Sequence, residues 1–262
     1  MTTDEEMQAI LRRVAAGELS PEQGAVEIEA LQQRRLTVAE PPVSRVRVVG
    51  AMHPLRIIGD GEIKDAVVTV GPHRALRRDD TLEIHTTGAG EEDAGFTFGW
   101  PGRPGFAGFG SAHPERALRP IQIRMNPDLA LEVEMAAGLL SVQQVRGPIK
   151  AEIQAGSAKL DGFASAFDLN VTWGTVSATG VLQEGDSRIR CEAGTVKVVL
   201  EPGSSVKVVA KSTLGRISLP GEPAGLAEGW TMGGDERQAT VGEGAGRLLV
   251  ETTTGAVWVE EA

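Results

Sequence analysis

Tyrosine is absent from this chain of 262 residues, cysteine occurs once, and six phenylalanines with four tryptophans are its whole aromatic complement. The single cysteine, Cys191, excludes an internal disulfide and fits a reducing compartment. No apolar run reaches the about 18 residues that read as a membrane-spanning helix. The opening MTTDEEMQAI is acidic and lacks the apolar stretch of a signal peptide. The expected location is therefore the cytoplasm, with any membrane association peripheral and through a partner. Lys and Arg number 26 against 36 Asp and Glu, giving a net charge of -10, and they form no basic cluster. That argues against nucleic acid, because a phosphate backbone is met by clustered cations.

Glycine, by contrast, is abundant at 33 residues. Residues 1–36 are read as a helical hairpin module. Thr3 and Glu6 have capping-box spacing, and Met7, Ile10, Leu11 and Val14 recur at helical intervals. Gly17 stops that helix, and Ser20, Pro21 and Gln23 start a second whose apolar face continues through Ala25, Ile28 and Leu31. A lone hairpin this short lies below the ~40 residues under which chains seldom fold unaided. Its face of Met7, Ile10, Leu11, Val14, Ile28 and Leu31 is thus a candidate interaction surface, with docking on the next domain equally open. A linker, 37–43, carries Pro41 and Pro42, which do not continue a helix.

Past the linker the period changes from helical to two. Glycines 138, 156, 174, 194, 215 and 255 align a repeat. Five residues before each stand Val133, Ala151, Leu169, Ile189, Ala210 and Val250. Two after each stand Leu140, Ala158, Val176, Val196, Ile217 and Val257, and four after each Val142, Leu160, Ala178, Val198, Leu219 and Val259. All are apolar, and the residues between them, such as Glu132, Lys150, Asp168, Arg190, Lys197 and Ser218, are largely polar. Each unit therefore reads as two alternating strands broken at a glycine corner. The spacings of 18, 18, 20, 21 and 40 residues suit the perimeter of a narrow coil at ~3.3 Å per residue. The expected fold is mainly β: a single-stranded β-solenoid (β-helix) over 44–262, with a sandwich of hairpins as the alternative. Within it, 44–128 would form irregular rungs, 129–220 regular rungs, 221–246 a loop insertion and 247–262 the terminal rung.

The segments AEIQAGSAKLDG, RIRCEAGTVKV and RLLVETTTGAVWV resemble the bacterial β-strand-repeat domain known as the putative adhesin domain, which has no assigned function. ILRRVAAGELSPEQGAVEIEAL resembles the short helical module that precedes that domain in LiaX/YvlB-type envelope-stress proteins. Gly24 departs from that pattern, which usually has a better helix former there. The resemblance implies a non-enzymatic binding or regulatory protein tied to bacterial cell-envelope stress, with a membrane-embedded regulator as its protein partner. A self-assembling, bactofilin-like scaffold is the alternative, a homo-oligomer against which Glu260 and Glu261 at a stacking end would speak. A polysaccharide-active β-helix enzyme is a distant third.

No catalytic residue, cofactor or metal site is expected. His53, His73, His85 and His113 share no metal-ligand spacing. Ser204 and Lys207 match SxxK only within a strand, and Gly242, Gly244 and Gly246 follow no strand leading into a helix. Asp161 with Asp168, and Glu184 with Asp186, read as solvated turn residues. Cys191 occupies an inward strand position and reads as a small buried hydrophobe. The remaining candidate is GFTFGWPGRPGFAGFG, residues 95–110, which holds half of all the aromatics. Phe96 and Phe98 alternate as a strand would, whereas Trp100, Arg103, Phe106 and Phe109 lie in a loop with two prolines. That loop is expected either to contact a partner or to cover an open end of the coil.

Overall fold

The computed structural model describes residues 3–16, 19–21, 23–28, 41–50, 52–86, 120–221 and 231–262. The chain divides into two compact units, Met1–Pro42 and Val43–Ala262.

In the first unit, helix α1 spans Thr3–Ala15 and residues 23–28 are again helical. Ser20 and Gln23 cap the second segment reciprocally. The Gln23 amide donates to Ser20 Oγ at 3.2 Å, and the Ser20 amide donates to Gln23 Oε1 at 3.1 Å. A Cβ on Gly24 would lie 2.5 Å from Val14 Cγ2. The weak helix former at that position is thus what lets the two segments approach. Arg13 and Glu27 join them at 3.3 Å. Ile10 is buried, Val14 and Ile28 are half-buried, and Leu11 is exposed. The side chains of Thr3, Met7 and Leu31 lie outside the described residues.

In the second unit the described strands belong to one 13-stranded sheet. The first six are β1 (Arg45–Gly50), β2 (Leu55–Gly59), β3 (Ala66–Val70), β4 (His73–Arg78), β5 (Thr81–Thr86) and β6 (Ile121–Met125). Four long strands follow: β7 (Ala130–Gln143), β8 (Ile149–Phe163), β9 (Phe167–Gly180) and β10 (Asp186–Leu200). The last three are β11 (Val206–Ser218), β12 (Thr231–Val241) and β13 (Gly246–Glu261).

Each long strand consists of two arms that meet at a glycine. In β8, Ile149, Ala151 and Ile153 are buried before Gly156, and Ala158 and Leu160 after it. The buried set switches from odd to even positions across the corner, so both arms turn an apolar face to one continuous core. All eighteen apolar positions of the repeat are buried, none more than 4% exposed. Parallel pairing sets the glycines in register, Gly138 to Gly156 to Gly174 to Gly194. The column needs glycine because a Cβ at Gly174 would lie 1.6 Å from the carbonyl oxygen of Gly156, and one at Gly194 1.7 Å from that of Gly174.

Two expectations for the C-terminal third are corrected. Strand β13 is not a terminal rung: Gly194 pairs with Gly255, and Gly255 with Gly215, so β13 lies between β10 and β11. Glu260 and Glu261 therefore do not sit at a stacking end, and Glu260 pairs with Lys197 at 3.0 Å. The stretch read as a loop insertion, 221–246, contains β12, which pairs antiparallel with β11. Its Gly233, Gly234, Asp235 and Glu236 have low strand propensity, but a strand paired on one side tolerates them.

The N-terminal end follows a similar plan. Strands β1 and β2 pair with the two arms of β7, placing Val48 beside Val133 and Ile57 beside Val142. Strands β5 and β6 flank β1 and β2 in parallel, and β4 and β3 pair antiparallel with β5 and β6.

Candidate binding surface

Because inward positions of the first arms are filled by Val, Leu, Ile and Ala, the alternate positions face outward and carry charge. Parallel register sets Glu83, Arg47, Glu132, Lys150, Asp168 and Arg188 side by side on successive strands. The sign alternates at every step, and opposite charges directly across strands are stabilising neighbours. Arg47 donates to Glu134 at 2.6 Å, which raises the guanidinium pKa further. Lys150 lies 3.1 Å from Glu152, whose hydrogen bond and charge raise the lysine pKa.

A second outward row runs two residues closer to the glycine corner: Asn170, Arg190, Glu251, Lys211 and Glu236. Arg190 and Glu251 are 3.1 Å apart, as are Lys211 and Glu236. The hydrogen bond from Lys211 is the main cause that lowers the Glu236 pKa.

Two grooves follow this row. The larger, about 660 Å³, is lined by Asn170, Arg190, Glu192, Lys211, Glu236 and Glu251 among others. The smaller, about 390 Å³, is lined by Glu134, Glu152, Gln154 and Thr172 among others. Asn170 lines both and joins them. Next to Thr172 stands Trp173, 64% exposed, with Ala155 and Ala193 as its register neighbours. It is the one exposed aromatic side chain among the described residues, since Phe163 and Phe167 are buried and Trp258 is half-buried.

The aromatic stretch singled out in the sequence, with Phe96, Phe98, Trp100, Arg103, Phe106 and Phe109, lies outside the described residues, as does His113. The other histidines do not come together: His73 Nδ1 lies 3.2 Å from the Gly71 carbonyl oxygen, and His85 3.2 Å from Glu83. Ser204 is a turn residue whose hydroxyl donates to the Glu201 carbonyl at 2.7 Å and accepts from the Leu182 amide at 3.3 Å. Cys191 is buried, and desolvation pushes its thiol pKa up, which keeps it protonated near neutral pH. Among the described residues no group of three or more His, Cys, Asp or Glu side chains is arranged to hold a metal ion, and no helix is long and apolar enough to cross a membrane.

Sequence reading noted Glu132, Lys150 and Asp168 as polar but passed over their alternation, which shows once the 18-residue register is applied. It also passed over Trp173. The position before the repeated glycine is otherwise Ala137, Ala155, Ala193, Leu214 and Thr254, so the tryptophan is the odd member.

No family model matches this chain, and no curated protein matches it. Among solved structures, one from Clostridium sporogenes described as a "putative cell adhesion protein" is similar, with 14% identity and a TM-score of 0.40 over 85% of this chain and 94% of that one.

Proposed function

We propose that this chain is a non-enzymatic binding or regulatory protein whose units stack as a single-stranded β-solenoid, and that it serves bacterial cell-envelope stress through a membrane-protein partner. The register of the six glycine corners supports the solenoid. One observation carries the binding role: the outward residues form paired rows along two grooves, on a rigid sheet whose core is complete without them. The groups best suited to covalent chemistry are engaged elsewhere, Ser204 in a turn and Cys191 in the core. The envelope link is supported by the resemblance of the helical module and the strand repeat, in that order along the chain.

A self-assembling scaffold is not favoured. Register places Asp235 opposite Ser212 and Arg237 opposite Ala210, on the core-facing side of edge strand β12. Inward-pointing charges on an edge oppose further strand addition. The test is cross-linking of the full chain and of a form lacking residues 1–36 in bacterial membranes. A membrane protein captured by the full chain and lost on the deletion is the expected result. Equal capture by both would remove the helical unit from the role, and no capture by either would overturn the reading.

A further inference from the structure

A third groove, where β10, β13 and β11 begin and β12 ends, breaks the pattern of paired charges. Its volume is about 740 Å³, and Asp186, Lys207, Gln238, Thr240 and Arg247 are among the residues that line it. Register runs from Asp186 to Arg247 to Lys207 to Thr240, and all four side chains are exposed. Lys207 opposite Arg247 is the one place in the described strand pairings where two cations of Lys or Arg face each other directly. Among the described residues neither has an ion-pair partner. Arg190, Lys197 and Lys211 on the same outward face are paired instead, with Glu251, Glu260 and Glu236.

We infer that this groove binds one phosphoryl group, that of a phosphate ester, between Lys207 and Arg247. The inference goes beyond the reading of a partner-binding protein and does not depend on it. Like charges placed opposite are unfavourable for a sheet, and local rules are broken most often where a site requires it. An oxyanion between the two cations turns that repulsion into two attractions. The lysine is also held in place, because the turn before β13 passes against its stem. A Cβ on Gly244 would lie 3.0 Å from Lys207 Cγ and 3.2 Å from its Cε.

The donors come from three strands: Arg247 from β13, Lys207 from β11, and Thr240 with Gln238 from β12. One guanidinium fork satisfies the two coplanar oxygens of a carboxylate. A phosphoryl group presents oxygens in several directions, which a fork, a point charge, a hydroxyl and an amide on separate strands match better. Asp186, the other register neighbour of Arg247, opposes a second anionic group on that side and so selects against polyphosphates. With a net charge of -10 the chain has no general attraction for anions. Affinity must therefore come from this pair.

The test is an NMR titration of the full chain at constant ionic strength with inorganic phosphate, glycerol phosphate and acetate, and with vesicles containing phosphatidate. Saturable shifts of the Lys207, Thr240 and Arg247 amides are expected with phosphate and glycerol phosphate, and weaker binding with acetate. Arg247→Gln and Lys207→Gln should each weaken binding about tenfold, the loss of one hydrogen bond to a charged group. Arg45→Gln, a change at an exposed arginine on β1, should leave it unchanged. All three side chains are exposed, so the variants should keep the wild-type melting temperature. Stronger binding to the vesicles would assign the phosphoryl group to a lipid, and stronger binding of glycerol phosphate to a free ester. Acetate binding as tightly as phosphate, shifts scattered away from the groove, or full affinity in both groove variants would overturn the site. Intact membrane capture with no phosphate or vesicle binding removes this inference and leaves the proposed function standing.

Discussion

The middle of the sheet and its two ends are built by different rules. From β7 to β10 the order along the chain is the order in space, each strand is parallel to the last, and glycine stacks on glycine. At each end the chain steps outward, pairs antiparallel, and returns inside its own earlier step. At one end β5 and β6 lie outside β1 and β2, and at the other β11 lies outside β13. The middle is a local repeat that specifies itself. The ends must do something further, because an open parallel edge is a template for another chain.

The largest effect should come from the glycine column. Gly174→Ala sets a Cβ 1.6 Å from a backbone oxygen, and a clash that only backbone movement relieves should cost about 4 kcal/mol or more in urea unfolding. Gly203→Ala, in the turn between β10 and β11, is the contrast: φ is +98° but nothing lies within 4 Å of the new atom. Backbone strain alone should then cost about 1–2 kcal/mol. Similar losses for the two would show that the stack is not what demands glycine.

Leu169→Ala should come next, since its side chain is fully buried in the regular middle. The expected loss is about 3 kcal/mol, within the range for leucine truncation in a core. A much smaller loss would mean that the middle collapses readily around a void.

The ends can be tested by removing their charges. Asp235→Val with Arg237→Val takes a 2.9 Å pair from the core-facing side of β12. The apparent mass by light scattering should then rise with concentration where the native chain's does not. An unchanged mass would mean that something other than charge protects this edge.

The smallest effect concerns the charge rows. Lys150→Glu places a carboxylate beside Glu132, Glu152 and Asp168 and should cost about 0.5–1 kcal/mol, less at high salt. The pH dependence has a definite sign. Asp80 and Glu236 have lowered folded-state pKa values, from the Ser44 and Lys211 hydrogen bonds respectively. Their stabilisation is present above the ordinary carboxylate range and lost as pH falls through the folded values. Lys150 has a raised pKa, so its contribution is present below the ordinary lysine value and lost only as pH rises through the higher folded one. Melting across acid and alkaline limbs should show the alkaline loss in the native chain and not in Lys150→Glu.

Much of the core was legible. The eighteen aligned positions are buried because strand period and corner glycine are properties of a few neighbouring residues, and the same few residues decide which side chains face inward. Strand β12 was not legible, because its glycines and acids look like a loop until the edge of β11 gives them a partner. Nor was the place of β13: Val250 and Val257 match Ile189 and Val196 as well as they match Ala210 and Ile217. The candidate site was hidden for a related reason. Asn170, Arg190, Glu251 and Lys211 are far apart in sequence, and become one row only when β13 takes its place between β10 and β11.

The arms, the corners and the inward face of every regular unit follow from the amino-acid pattern alone, since two-residue alternation and a corner glycine are properties of near neighbours in the chain. Tertiary structure decided the order of the units at both ends, and with it the grooves. Units that share one register pair equally well with several neighbours, so the choice among them rests on where the chain can reach and which edges are left to cover.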